Sequence, residues 1–323
     1  MGRQRKSRKS GPAADAGSGQ ASILGTYPIS TGTAEVVADD FRDGAYILLV
    51  NGVPSSHIVP GEPGELDFEY MRWIAAGIEV LNRVPEDELR ITHLGGAGCS
   101  LARYFAELWP KARNTVVELD EKLGTLVREL FDIPRAPTVK IRPGDAFAVT
   151  RSFQPESRDV IIRDVFSGAE TPAPLASAEF YRAAHVSLSP GGLFVANCGD
   201  HSDLTLAKRE VAGLLAEFGH VACIADPAML KGRRYGNIIF LASDRPLPAE
   251  GEDDYVQITK RLLGGGVPAH YKDEAWARKF AGSPAAYAFA SLAALSSRIT
   301  RSETVAPFSA ISRNSSTGSL PSA

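Results

Sequence analysis

The chain has 323 residues, of which 44% are hydrophobic and 23% are charged, and its formal net charge is −3. This composition is ordinary for a soluble globular protein, and the length suits one large α/β domain with additions or two domains. No apolar run approaches the roughly 18 residues of a membrane span, and three widely spaced cysteines argue against a disulfide framework or a zinc site. We therefore expect a cytoplasmic protein without a bound metal.

Residues 1–22 form a basic arm, in which Asp15 is the one acidic residue among several lysines and arginines. A basic arm can contact nucleic acid or anionic lipid. This one lacks aromatic and apolar anchors, so we expect a solvated, disordered tail and neither a nucleic-acid nor a membrane partner. No apolar stretch follows the charges, so the arm is not predicted to be a secretory signal.

Two short strands are predicted next, in the segments AEVVADD and AYILLVNG, with a turn signal at Asn51-Gly52. They indicate a small β element rather than a full domain. The segment LDFEYMRWIAAGIEVL then predicts a helix, because apolar residues recur near helical spacing. These apolar residues are Phe68, Met71, Ile74, Ala75, Ile78 and Leu81.

From residue 90 onward, short apolar strands alternate with helices, which predicts an open, doubly wound sheet. The predicted helices cover 100–109, 121–131, 177–188 and 203–218. The last two strands, GHVACIADP and GNIIFLAS, are too close in sequence for a helix between them, so they should pair antiparallel. We expect an α/β fold with a mostly parallel, seven-stranded, methyltransferase-like sheet that carries a terminal antiparallel strand, preceded by the small N-terminal β element.

A glycine-rich turn follows the first strand of this sheet and contains Gly95, Gly96 and Gly98. Ligands bind at the carboxyl ends of parallel strands, and glycine lets backbone approach a ligand closely. A purely structural βα turn would also need glycine. Glu118 ends the next strand, 20 residues after Gly98, where a carboxylate can accept hydrogen bonds from both ribose hydroxyls. The pair predicts a nucleoside site.

The next two strands also end in acidic residues. Asp145 can accept a hydrogen bond from an adenine amino group, while Ala146 offers its backbone N–H. Asp164 follows an apolar strand, where a partly desolvated carboxylate can stabilise a sulfonium or accept a proton from an amine. Helix capping is the alternative role for both acids. A dinucleotide fingerprint fits poorly because its third glycine would fall at Leu101.

These motifs, in this order, resemble those of spermidine synthases. The segments that carry the resemblance are LLVNGVPSSHI, LDFEYMRWIA, HLGGAGCS, VVELD, GDAF, DVIIRDVFSG and EFYRAAHVSLSPGGLFV, within about residues 40–243. The chain is similar in particular to divergent spermidine synthase-like proteins of actinobacteria.

The resemblance implies decarboxylated S-adenosylmethionine as co-substrate and an amine such as putrescine as acceptor. It implies that Glu118 holds the ribose, Asp145 the adenine, and that Asp164 deprotonates the amine beside Tyr70. The uncharged amine would attack the aminopropyl carbon, and methylthioadenosine would leave. Members of this family often form dimers, so a homodimer is a further expectation.

The chain also departs from the family pattern. Gly98 and Ser167 stand where the family usually has aspartates, and Ser55 and Met71 where it usually has glutamines. Each missing carboxylate removes a charge-assisted hydrogen bond worth roughly 1.5–3 kcal/mol. Other acids, namely Glu69, Glu170 and Asp200, are candidates to replace them.

Three alternatives therefore stay open at this point. Without the loop aspartate, ordinary S-adenosylmethionine could bind and the reaction would be methyl transfer. A second alternative is a non-catalytic relative that retains only nucleoside binding. A nicotinamide enzyme is the third, and it fits worst because of Leu101 and the predicted terminal hairpin.

The sequence predicts five regions. They are a disordered basic tail (1–22), the small β element (23–65), the methyltransferase-like nucleoside-binding catalytic domain (66–245), a helical extension with helices at 252–263 and 272–297 (246–297), and a Ser-rich disordered tail (298–323).

Overall fold

The computed structural model describes residues 23–168 and 170–282. Its first element is a small antiparallel sheet whose four strands follow one another in chain order. The strands are β1 (Gly25–Ile29), β2 (Gly32–Ala38), β3 (Tyr46–Val50) and β4 (Val53–Ile58). The sequence predicted the two central strands but not β1 and β4. Both missed strands contain proline, which is tolerated because they lie at the two edges of the sheet.

The second sheet has eight strands in the described part of the chain. They are β5 (Arg90–Leu94), β6 (Arg113–Glu118), β7 (Val139–Pro143), β8 (Arg158–Arg163), β9 (Leu188–Asp200), β10 (His220–Ala225), β11 (Gly236–Ser243) and β12 (His270–Lys272). Their order across the sheet is β12-β10-β11-β9-β8-β5-β6-β7. Strands β7, β6, β5, β8 and β9 are parallel. The predicted α/β fold with a mostly parallel sheet is thus confirmed.

Strand β11 lies between β9 and β10 and is antiparallel to both. The antiparallel pairing of the last two predicted strands is thus confirmed. Their connection was predicted to be too short for a helix, but it contains one helical turn at Pro227–Leu230, which is too short to cross the sheet. Strand β12 adds an eighth strand that the sequence did not predict, within a region expected to be helical. It pairs with β10 over three residues, which is too short for any period in the sequence to reveal it.

Helices cover both faces of the large sheet. They are α1 (Glu69–Leu81), α2 (Ser100–Leu108), α3 (Glu121–Leu130), α4 (Ala146–Arg151), α5 (Ala178–Ser187), α6 (Thr205–Glu217), α7 (Pro227–Leu230), α8 (Asp253–Leu263) and α9 (Glu274–Ala281). Successive residues of β8 alternate between the two layers. Val160 and Ile162 pack with α1, α2 and α8, and Ile161 packs with α5 and α6. None of these helices combines the length and the apolar character needed to span a membrane.

A third apolar cluster joins the small sheet to the large one. Ile29, Leu48 and Ile58 of the small sheet pack with Cys99 and with Val127 of α3. The small sheet therefore lies against the start of α2, beside the glycine-rich turn. The predicted boundaries of the five regions remain predictions, and the two predicted tails and the end of the helix predicted at 272–297 lie outside the described residues.

Candidate active site

The candidate site lies at the carboxyl edge of the parallel strands, where β5, β6 and β8 are neighbours. The glycine turn follows β5, and Gly95 has a left-handed φ of 84°. A Cβ on Gly95 would lie 2.3 Å from the main-chain oxygen of Asp164. The Asp164 N–H in turn donates to the Leu94 carbonyl at 2.9 Å. The turn and the acidic tip of β8 are therefore in direct contact, which is possible because residue 95 has no side chain.

Glu118 at the end of β6 lies over the same turn. Its Oε2 accepts hydrogen bonds from the backbone N–H groups of Gly96 and Ala97, each at 3.2 Å, and its Oε1 accepts from the Asp120 N–H at 3.1 Å. A Cβ on Gly96 would meet Val116 Cγ1 at 2.3 Å. The structure thus brings the glycine turn and the predicted ribose acceptor together. Backbone N–H groups hold both oxygens of the Glu118 carboxylate.

Gly98 faces the small sheet rather than open space. Its N–H donates to Ser56 Oγ at 2.9 Å, and the Ser100 hydroxyl donates to the His57 carbonyl at 3.1 Å. A Cβ on Gly98 would lie 2.8 Å from Ser56 Cβ and 3.0 Å from Ile58 Cδ1. The small sheet therefore closes the position at which the family pattern usually has an aspartate.

Because of this contact, Gly98→Asp should lower the free energy of unfolding by about 1–3 kcal/mol through overpacking. Chemical denaturation would measure it, and Gly64→Asp is a matched control because a Cβ on Gly64 meets nothing within 4 Å. Adding Ser56→Gly should recover part of the loss. A Gly98→Asp variant as stable as Gly64→Asp would contradict the steric argument.

Asp145 and Ala146 lie at the start of α4. Asp145 caps this helix, since its Oδ1 accepts from the Ala148 N–H at 2.8 Å, which is the alternative role considered from the sequence. The adenine role of both residues remains a prediction. Leu119, directly after Glu118, is an apolar residue that is 65% exposed at this edge, and the sequence analysis did not single it out. An apolar residue next to a candidate site acid was the available signal.

Asp164 is half-buried and held by two side chains. The Tyr70 hydroxyl donates to Asp164 Oδ2 at 3.2 Å, and Asn197 Nδ2 donates to Asp164 Oδ1 at 2.9 Å. Burial raises the pKa of Asp164 above its ordinary value, against the opposing effect of these hydrogen bonds. Burial, together with the charge of Asp164, also raises the pKa of Tyr70 well above its ordinary value. The predicted pair Asp164 and Tyr70 is therefore in contact, and Asn197 is an additional member that the sequence did not reveal.

Other acids near this edge differ in their contacts. Asp200 is 1% exposed, and its two oxygens accept from the backbone N–H groups of His201 and Ala207, each at 2.7 Å. Asp200 thus fixes the start of α6. The backbone of Glu170 pairs with Ser167. Burial, followed by the charges of Cys198, Asp200 and Glu170, raises the pKa of Tyr235. In residues 23–168 and 170–282, no group of three His, Cys, Asp or Glu side chains is arranged to hold a metal ion.

Comparisons with known proteins place this geometry in a family, although no family model matches the chain. A probable spermidine synthase from Corynebacterium glutamicum, of known structure, is 56% identical to it and superposes with a TM-score of 0.79 over 82% of this chain and 95% of that protein. A spermidine synthase solved with the transition state analogue AdoDATO, at 16% identity, 81% and 85% coverage and a TM-score of 0.52, shares the fold.

Two curated relatives match part of the chain. The polyamine aminopropyltransferase of Neisseria meningitidis serogroup A is 26% identical over 171 residues, which are 53% of this chain and 64% of that protein. The polyamine aminopropyltransferase of Vibrio vulnificus is 30% identical over 183 residues, or 56% and 58%. The chain thus spans less than two thirds of the length of either. The 56% identity across nearly all of the Corynebacterium protein, together with the strand order and the site, shows that the chain belongs to the spermidine synthase-like family of methyltransferase-fold proteins.

Proposed function

We propose that this chain transfers an aminopropyl group from decarboxylated S-adenosylmethionine to a small amine such as putrescine, as in polyamine biosynthesis. The observation that carries the proposal is the position of Asp164, a half-buried carboxylate held by Tyr70 and Asn197 and adjoining the glycine turn. In this proposal, Asp164 is the base and the adjoining glycine turn borders the nucleoside. The names of the similar proteins, a probable spermidine synthase and two polyamine aminopropyltransferases, support the same reaction.

In this proposal, the nucleoside lies across the ends of β5, β6 and β7. The carboxylate of Glu118 accepts hydrogen bonds from the ribose hydroxyls. Asp145 accepts from the adenine amino group, and the Ala146 N–H donates to the ring. Leu119 offers apolar surface to the planar base. Gly95 and Gly96 allow the turn to pack against Asp164 and Val116, where any Cβ would collide with protein atoms.

The reaction is a displacement at carbon. Asp164 accepts a proton from the acceptor ammonium, which leaves a lone pair on nitrogen. The lone pair forms a C–N bond to the aminopropyl carbon, the C–S bond breaks, and its electron pair stays on sulfur as methylthioadenosine departs. The contact between the turn and Asp164 fixes the two reactants relative to each other, and such positioning supplies much of the rate.

The acceptor end is the part of the proposed site at which the chain departs from the family pattern. Gly98 and Ser167 carry no charge, and Asp200 is only 1% exposed. The identity of the amine therefore rests on a direct assay with putrescine and other small amines. A homodimer remains a prediction.

Calorimetric binding of methylthioadenosine, decarboxylated S-adenosylmethionine and ordinary S-adenosylmethionine tests the proposal. We expect the decarboxylated cofactor to bind more tightly than the ordinary one. Glu118→Ala should raise the Kd of each ligand at least about 100-fold, because two hydrogen bonds to a charged group are lost. Glu121→Ala, which removes an exposed carboxylate three residues further on, is the matched control.

The outcomes separate the candidate functions. Tighter binding of ordinary S-adenosylmethionine would favour methyl transfer, and binding without release of methylthioadenosine from any amine would favour a non-catalytic relative. Equal affinities of wild type and Glu118→Ala would remove the basis for the nucleoside site.

A further inference from the structure

Asn197 of β9 has an unusual environment for a buried amide. It is 1% exposed, and its Nδ2 donates to Asp164 Oδ1 at 2.9 Å. Its Oδ1 is buried and has no hydrogen-bond partner among the described residues. Buried polar atoms in proteins are nearly always paired, so an unpaired one calls for an explanation.

The charge of Asp164 provides that explanation. If the amide were rotated by half a turn, Asn197 Oδ1 would face Asp164 Oδ1, and two acceptors would repel each other. The carboxylate therefore dictates which end of the amide faces it, and the other end stays unpaired. Such an arrangement lowers stability and is typical of a group that serves a functional site.

The main chain of Asn197 is held by a buried ion pair. Arg163, which is fully buried, donates from Nη2 to the Asn197 carbonyl at 2.8 Å and from Nη1 to the Leu175 carbonyl at 2.9 Å. Its Nη1 lies 2.7 Å from Glu210 Oε2 on α6. The Tyr181 hydroxyl on α5 donates to the same Glu210 oxygen at 2.9 Å. A continuous polar connection thus runs from α5 and α6 through the sheet to Asp164.

We propose that Asn197 is a positioning residue for Asp164, and that the Arg163–Glu210 ion pair fixes Asn197 for this task. The inference rests on the proposed aminopropyl transfer, in which Asp164 is the base. Asn197 turns the carboxylate so that Oδ1 is engaged, and it stabilises the charged form that accepts a proton from the amine.

The groups that face Asp164 determine the expected pH behaviour. They are Tyr70 from α1, Asn197 from β9, and the charge of Arg163 on its own strand, which lowers the pKa of Asp164. Removing the Asn197 donor destabilises the carboxylate, so the pKa of Asp164 rises by about one to two units. The acid limb of kcat/KM should move to higher pH by the same amount. Above both pKa values, the loss of orientation should still lower kcat about tenfold.

The test compares Asn197→Leu, which removes the amide at similar volume, with Asn114→Leu. Asn114 is also fully buried in this sheet, on β6, and it bonds to His93 and the Thr138 carbonyl instead. Carboxyl-carbon NMR on aspartate-labelled protein reports the pKa of Asp164, with its signal assigned from Asp164→Asn. Rates of methylthioadenosine release across pH give the activity profile. We expect both readouts to shift in Asn197→Leu and neither in Asn114→Leu.

A second variant, Asn197→Asp, covers a folding failure of the first. It places a carboxylate against Asp164 and should raise the pKa of Asp164 further. An unchanged pKa and acid limb in a folded variant would overturn the proposal, as would loss of methylthioadenosine binding in both variants, which would assign Asn197 a structural role. A shifted pKa in a protein whose wild type transfers no aminopropyl group would instead refute the proposed function and leave the positioning contact standing.

Discussion

Asp164→Asn should reduce kcat for aminopropyl transfer by about 10²–10⁴-fold, the usual contribution of a general base. The amide cannot accept the amine proton, although it has nearly the shape of the carboxylate and its one oxygen can still accept from Asn197. Release of methylthioadenosine from decarboxylated S-adenosylmethionine and putrescine measures the loss. Binding of methylthioadenosine should be unchanged, because the nucleoside contacts proposed for Glu118 and Asp145 lie on other strands.

The pH dependence gives this prediction a second readout. Burial raises the pKa of Asp164, so wild-type activity should fall as the pH drops through a value above the ordinary aspartate pKa of about 3.9. This fall in activity at low pH should be absent from the residual activity of Asp164→Asn. Asp203→Asn, which alters an exposed carboxylate at the same edge, is the control. If Asp164→Asn lowers kcat by less than tenfold, Asp164 is not the base.

Glu210→Ala should lower the free energy of unfolding by about 3–5 kcal/mol, because it leaves a buried charge without its partner. Arg163 is fully buried and relies on Glu210 for its counter-charge, and Tyr181 would lose its acceptor as well. Denaturant-induced unfolding followed by circular dichroism measures the change. This is the largest effect on stability that we expect from a single substitution.

The same helix supplies a control. Glu217, also on α6, pairs with Arg182, whose side chain is 67% exposed, so Glu217→Ala should cost less than about 1 kcal/mol. Replacing Arg163 and Glu210 together by methionine should recover most of the stability, since no unpaired charge remains. If Glu210→Ala and Glu217→Ala lower the free energy of unfolding by the same amount, the buried Arg163–Glu210 pair does not stabilise the fold as expected.

The parallel part of the large sheet was predictable because its strands are short apolar runs, most of which lead into a helix. Helices such as α3 and α5 begin and end within two residues of their predicted bounds. The terminal hairpin followed from a connection too short for a helix that crosses the sheet, although the one-turn helix α7 lies within it. Strands β1, β4 and β12 were missed because proline, polar residues or a length of three residues hide the period of two, and their edge positions are set by pairing partners distant in sequence.

The site could be predicted where a residue type suited to the proposed chemistry stands at the end of a predicted strand. Gly95, Glu118 and Asp164 each follow directly from a strand end, and the structure brings them to one edge. Asn197 and Ser56 could not be found in this way. Asn197 is one polar residue inside an apolar strand, and Ser56 lies 42 residues from Gly98, so their roles depend on contacts that only the folded chain creates.

The contact between the small sheet and the glycine turn couples two parts of the chain that are distant in sequence. Ser56 and His57 of the small sheet form hydrogen bonds with Gly98 and Ser100. The small sheet and the glycine turn should therefore become ordered together. Substitutions at the buried positions Ser56 and His57 should therefore shift the glycine turn without altering the strands that carry Glu118 and Asp164. The conformation of the turn thus depends on a part of the chain that lies outside the large sheet.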